Sequence, residues 1–168
     1  SIDGRLSEPQ WDGAEAIRSF SFPWSSRPAP VTEFRAWADA DHLYFGFTAE
    51  DDDLVVETRF DGESTLDRED RVEIFFARDE ALARYYCIEI DPLGRVHDYA
   101  AQHYRQFDSA WNCPGLRAAG ARSPRGYTVE AAVPFATLSD LMGRATGPGA
   151  ALRVGLFRAE FRRSALGD

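Results

Sequence analysis

The chain has no lysine: all 19 of its Lys-plus-Arg residues are arginine. That excludes Schiff-base catalysis and a P-loop lysine on phosphate, since both need a primary amine. Cysteine is almost absent as well, with only Cys87 and Cys113. Two such distant thiols form neither a disulfide framework nor a C-x-x-C metal pair, so they read as small buried side chains, with a single bridge open to an exported protein. No apolar run approaches a membrane span, and no charged-then-apolar leader stands at the start, where Ser1 suits a mature secreted form or a trimmed chain. Also lacking are a Gly-rich phosphate loop, a G-x-S-x-G elbow, a local Cys-His pairing and a close histidine triad for zinc. Positive charge is in deficit. A net charge of -9 and a pI near 4.8 repel phosphate backbones and anionic lipid surfaces, which argues against nucleic acid as a partner, and with no apolar run of spanning length no membrane insertion is expected.

What is present is apolar and aromatic residue in quantity. With 168 residues, 44% hydrophobic and 13% aromatic, the chain can bury a core without disulfide or metal, and residues 1–168 read as one domain. Val31 to Ala38 and Leu43 to Ala49 predict a hairpin across Asp39-Ala40-Asp41, with Leu43, Phe45 and Phe47 on one face. Val72, Ile74 and Phe76 alternate in the same way, as do Tyr86, Ile88 and Ile90 before a turn at Asp91-Pro92-Leu93-Gly94. Tyr127 to Val133 alternates until Pro134 stops the ladder; Phe135 to Met142 then predicts a short helix, and Leu152 to Phe161 one more strand. The fold class is therefore all-β: an antiparallel β-sandwich of immunoglobulin-like or jelly-roll-like layers, with one helical segment near 135–142. Pro23 to Pro30 and Gly143 to Gly149 read as loops, the first carrying Trp24.

Four segments recur in a telling order: Ile2-Asp3-Gly4 with Trp11; Thr32 and Arg35 with Asp41-His42-Leu43-Tyr44; Asp70-Arg71-Val72-Glu73-Ile74-Phe75; and Gly126-Tyr127-Thr128-Val129-Glu130 running to Pro134. Together they resemble carbohydrate-binding module family 9. The resemblance implies a non-catalytic sandwich that binds a sugar or glycan, extracellular or periplasmic, as a module of a larger envelope protein or enzyme. It also implies a site in which two tryptophans sandwich a sugar ring while a Glu and an Arg bond its hydroxyls. Flat rings bury the C-H face of a pyranose, and charged groups make strong directional bonds to hydroxyls. Glu73 stands at the family's Glu position. Asp67-Arg68-Glu69 stands where the first tryptophan is found, Glu89 where the Arg is found, and the second tryptophan would fall beyond Asp168, where the family continues into a loop and a final strand that are here either cut off or lost.

The expected sugar site is thus Glu73 as acceptor, Arg35 or Arg71 as donor, Glu89 beside them, and Trp37 or Trp24 as a replacement platform. Trp37 shares a strand face with Arg35, whereas Trp24 is a loop aromatic. Glu73 and Glu89, on neighbouring strands, also form the kind of carboxylate pair used in glycoside hydrolysis, but an enzyme is not expected. The acidic run Glu50 to Asp53 offers hard oxygen ligands, with Asp51 and Asp53 as candidates for structural Ca2+. Haem is not expected, because Lys is absent and Met142 is the lone methionine to pair with His42, His97 or His103. Two alternatives stand beside the sugar-binding reading: a structural or interaction sandwich that has lost the site, and a haem-binding redox sandwich.

Overall fold

A computed structural model describes residues 1–163. Its elements, in order, are α1 (Pro9–Gly13), β1 (Ala16–Ile17), β2 (Thr32–Ala38), β3 (His42–Glu50), a 3-10 helix (Glu63–Arg68), β4 (Arg71–Ala77), β5 (Tyr85–Ile90), β6 (Val96–Gln102), β7 (Gln106–Asp108), β8 (Arg117–Ser123), β9 (Gly126–Pro134), α2 (Phe135–Met142) and β10 (Arg153–Ala159). Two five-stranded sheets result, ordered β1-β2-β3-β9-β8 and β10-β4-β5-β6-β7. Every pairing among the described residues is antiparallel.

Period-two alternation assembles the sandwich. Phe34, Phe45, Phe47, Val129, Ala131 and Val133 point inward from the first sheet and meet Val72, Ile74, Phe76, Tyr86, Ile88 and Ile90 from the second. Fully burying each of the larger side chains contributes about 1.5–3 kcal/mol. Pro134 ends β9 and opens α2, whose Leu138 and Leu141 close one edge of the same core. Cys87 and Cys113 are both buried and free.

The opening motif packs on the outer face of the first sheet. Asp3 and Gly4 donate their backbone N–H groups to Glu130 Oε2, at 2.8 and 3.2 Å. The Asp-Gly of the first segment and the Glu of the last are thus one contact. Gly4 has φ +83°, and a Cβ there would lie 2.6 Å from the Gly120 carbonyl carbon. Gly126 has φ +137°, and a Cβ there would lie 2.0 Å from the Ala49 carbonyl oxygen. Both positions therefore need glycine.

Candidate functional site

The second sheet turns Val72, Ile74 and Phe76 inward, so alternation turns Arg71, Glu73 and Phe75 outward on β4. The same rule sends Tyr85, Cys87 and Glu89 outward on β5, and His97, Tyr99 and Ala101 outward on β6. Register then fixes who sits beside whom. Phe157 of β10 pairs with Glu73, Glu73 with Glu89, and Glu89 with His97. One row of four outward side chains therefore crosses four strands. The next row holds Phe75, Cys87 and Tyr99.

Arg71 is the hub of this face. Its Nη2 lies 3.0 Å from Glu73 Oε1, its Nε lies 2.8 Å from Glu89 Oε2, and its Nη1 donates to the Leu66 carbonyl at 2.9 Å. The Nε contact is an ion contact without hydrogen-bond alignment, so Glu89 Oε2 has no hydrogen-bond donor. On the far side of Glu89, His97 Nδ1 approaches the same oxygen at 3.5 Å and Asp67 Oδ1 at 3.4 Å.

These neighbours set the charge states. Burial pushes the Glu73 carboxyl above its ordinary value and the nearby Glu89 charge adds to that, while Arg71 opposes both. The Glu89 carboxylate against its ring holds the His97 imidazole above its ordinary value despite the opposing effect of burial, with Asp67 and Glu63 adding to the rise. Burial pushes the Cys87 thiol well up, which leaves it protonated and unreactive.

Aromatic rings flank the charged row. Phe157 is 51% exposed and meets Phe75 edge-on at 5.3 Å. On the other side Tyr99 lies 5.6 Å from His97 and 5.3 Å from Phe107, which is itself exposed. Phe157 also lines a cleft of about 520 Å³ between β10 and the loop that carries Phe20, Phe22 and Trp24. Carboxylate acceptors, a guanidinium donor and accessible rings on one face can together bond hydroxyls and bury C-H surface.

Of the residues expected from sequence, Glu73, Glu89 and Arg71 are brought together here. Trp24, 81% exposed, sits nearby in the cleft that Phe157 borders. Trp37 and Arg35 lie elsewhere, on the outer face of the first sheet. Trp37 stacks flat on Tyr44 at 4.0 Å and meets Trp11 edge-on, and Arg35 donates to the Trp11 and Ala14 carbonyls at 2.9 Å. Both therefore hold α1 and the β1 segment against that sheet, with the whole sandwich between them and Glu73. Asp51 and Asp53 stand outside this row: Asp51 Oδ2 pairs with Arg158 at 3.0 Å and Asp53 Oδ2 accepts the Arg163 N–H at 3.0 Å. Among the described residues they do not converge with a third metal-type ligand. Met142 packs in the core, while His42 and His97 point outward from opposite sheets.

Sequence alone does not bring Phe157, Tyr99 and His97 into the candidate site. For Phe157 the signal was available: it is an apolar residue out of phase with the inward set of its strand. Among the described residues no helix is long and apolar enough to cross a membrane.

Comparison with known proteins agrees with the architecture. The fold matches a candidate carbohydrate-binding protein from Bacteroides uniformis with a TM-score of 0.64 and 15% identity, over 92% of this chain and 75% of that one. It also matches a carbohydrate-binding module family 9 protein from Caldicellulosiruptor kristjanssonii, solved with cellotriose at a TM-score of 0.54 and 17% identity, over 93% of this chain and 69% of that one. The same module solved with glucose gives 0.53 and 18% identity, over 93% and 70% of the two chains. No curated protein matches the sequence. The family model for carbohydrate family 9 binding domain-like proteins matches residues 2–161, and the chain belongs to that family of non-catalytic binding modules.

Proposed function

We propose that this module binds a sugar or glycan on the outer face of the β10-β4-β5-β6-β7 sheet, outside the cytoplasm and as part of a larger envelope protein or enzyme. The observation that carries the site is the single row Phe157, Glu73, Glu89 and His97, with Arg71 between the two glutamates. Glu73 and Glu89 accept from ring hydroxyls, Arg71 donates to them, and Phe157 on one flank and Tyr99 on the other offer faces for the C-H side of the ring. Phe157 stands in for the family's tryptophan wall, since the loop before Asp70 carries Asp67 instead. Family membership and the glucose and cellotriose bound by the Caldicellulosiruptor kristjanssonii module support the choice of ligand class.

The test is calorimetric titration with glucose, cellotriose and a panel of other mono- and oligosaccharides. Saturable binding is expected, lost in Glu73→Ala and weakened at least about tenfold in Phe157→Ala, the scale of one lost stacking contact. Affinity unchanged in Glu73→Ala sinks the site assignment. No binding across the panel favours the structural or interaction module instead, a reading motivated by the fact that Arg71 is already engaged by both glutamates.

A further inference from the structure

We infer that Asp67, Glu89 and His97 form a binding site for a divalent first-row transition ion of the zinc type. One ligand atom from each of the three lies within 4.8 Å of the others. The spacing suits an ion. With bonds of about 2.1 Å, a tetrahedral centre holds its ligands about 3.4 Å apart. His97 Nδ1 lies 3.4 Å from Asp67 Oδ1 and 3.5 Å from Glu89 Oε2.

Hydrogen bonding gives a second, independent indication. Glu89 is 4% exposed, and its buried Oε2 accepts no aligned hydrogen bond although Arg71 Nε lies 2.8 Å away; the facing His97 Nδ1 is buried and makes no aligned hydrogen bond either. Buried polar atoms are almost always satisfied, so two unsatisfied atoms converging on one point call for a ligand between them. A cation that accepts electron pairs from both is such a ligand, whereas an anion is repelled by two carboxylates.

Ligand type narrows the class. One imidazole with two carboxylates suits zinc, iron, nickel or cobalt, while calcium takes six to eight oxygens and rarely a nitrogen. Arg71 Nε also lies 2.8 Å from Glu89 Oε2, and it competes with the ion. That contact is the one Arg71 can give up at least cost, because it is unaligned and the guanidinium keeps Glu73 Oε1 and the Leu66 carbonyl. The 3-10 helix Glu63–Arg68 delivers Asp67 to the end of the row, so the loop next to the sugar face would gain a fixed anchor in the metal-bound form.

The inference does not depend on sugar binding, and its test uses metal alone. Tag-free, chelator-treated protein is titrated with Zn2+ by calorimetry and with Co2+ by visible absorption. One equivalent is expected to bind with micromolar affinity, Co2+ showing ligand-field bands of a low-coordinate site. His97→Gln is expected to abolish uptake. Asp67→Asn, at a side chain 60% exposed and so harmless to folding, is expected to weaken it by at least about tenfold. No saturable uptake below millimolar Zn2+ overturns the site and leaves a protonated His97 between two carboxylates as the account of the geometry. Equal uptake in wild type and both variants overturns it as well, as does a preference for Ca2+ over Zn2+.

Discussion

Asp70 opens the Asp70-to-Phe75 segment, and its side chain explains why an aspartate stands there. It is fully buried, and its two oxygens accept the backbone N–H groups of Val55 and Phe161, at 2.5 and 2.7 Å. One carboxylate thereby ties the chain after β3 and the chain after β10 to the start of β4. Burial raises its pKa from an ordinary 3.8 to about 6, against the lowering effect of those two hydrogen bonds; the Asp51 charge adds to the rise and Arg158 opposes it. An acid whose pKa is raised by folding binds its proton more tightly in the folded state. Its contribution to stability is therefore full below the unfolded pKa and is lost as the pH rises through about 6. Asp70→Asn cannot titrate. The stability advantage of wild type over that variant, from urea denaturation, should thus be largest near pH 4 and shrink up to about pH 7. A gap independent of pH would show that Asp70 does not carry this titration.

At the scale of elements, β9 and the opening segment form the clearest unit. Glu130 is 1% exposed and holds two backbone N–H groups from a segment 126 and 127 positions away in sequence. Removing its carboxylate strands both donors, and hydrogen bonds to a charged acceptor contribute about 1.5–3 kcal/mol each before any relaxation. Glu130→Ala is expected to lower stability by about 3 kcal/mol and to expose the Asp3 and Gly4 amides to rapid hydrogen exchange. A loss below about 0.5 kcal/mol, the size of an ordinary surface substitution, would refute the role. The strands legible in the sequence were those with large residues on the inward face: β2, β3, β4, β5, β9 and β10 all follow that pattern, and α2 covers the predicted Phe135–Met142. β8 was not legible, because Ala118, Ala119, Gly120 and Ala121 carry little strand propensity and rely on pairing with β9. β6 was hidden by its mixed His97, Asp98 and Tyr99, and β1, with two residues, is too short to show any period.

For the whole molecule, the limit of sequence reading lies in which sheet a strand joins. Alternation correctly placed Glu73 and Glu89 on neighbouring strands facing the same way, yet it put Trp37 and Arg35 into the same candidate site because a face is local and a sheet is not. The row from Phe157 to His97 joins positions 60 apart in sequence through three registers, and no single strand contains that information. The two sheets share one core cluster, so neither can unfold while the other keeps its inward face dry. No disulfide holds them: Cys87 lies on the outward side of β5, Cys113 lies against the core, and both thiols are free, with burial pushing Cys113 up to about 12. A single cooperative thermal transition is therefore expected, with the same midpoint in the presence and absence of reductant. A midpoint that falls on adding reductant would mean that the thiols pair in solution. Two separate transitions would mean that the sheets do not depend on a common core.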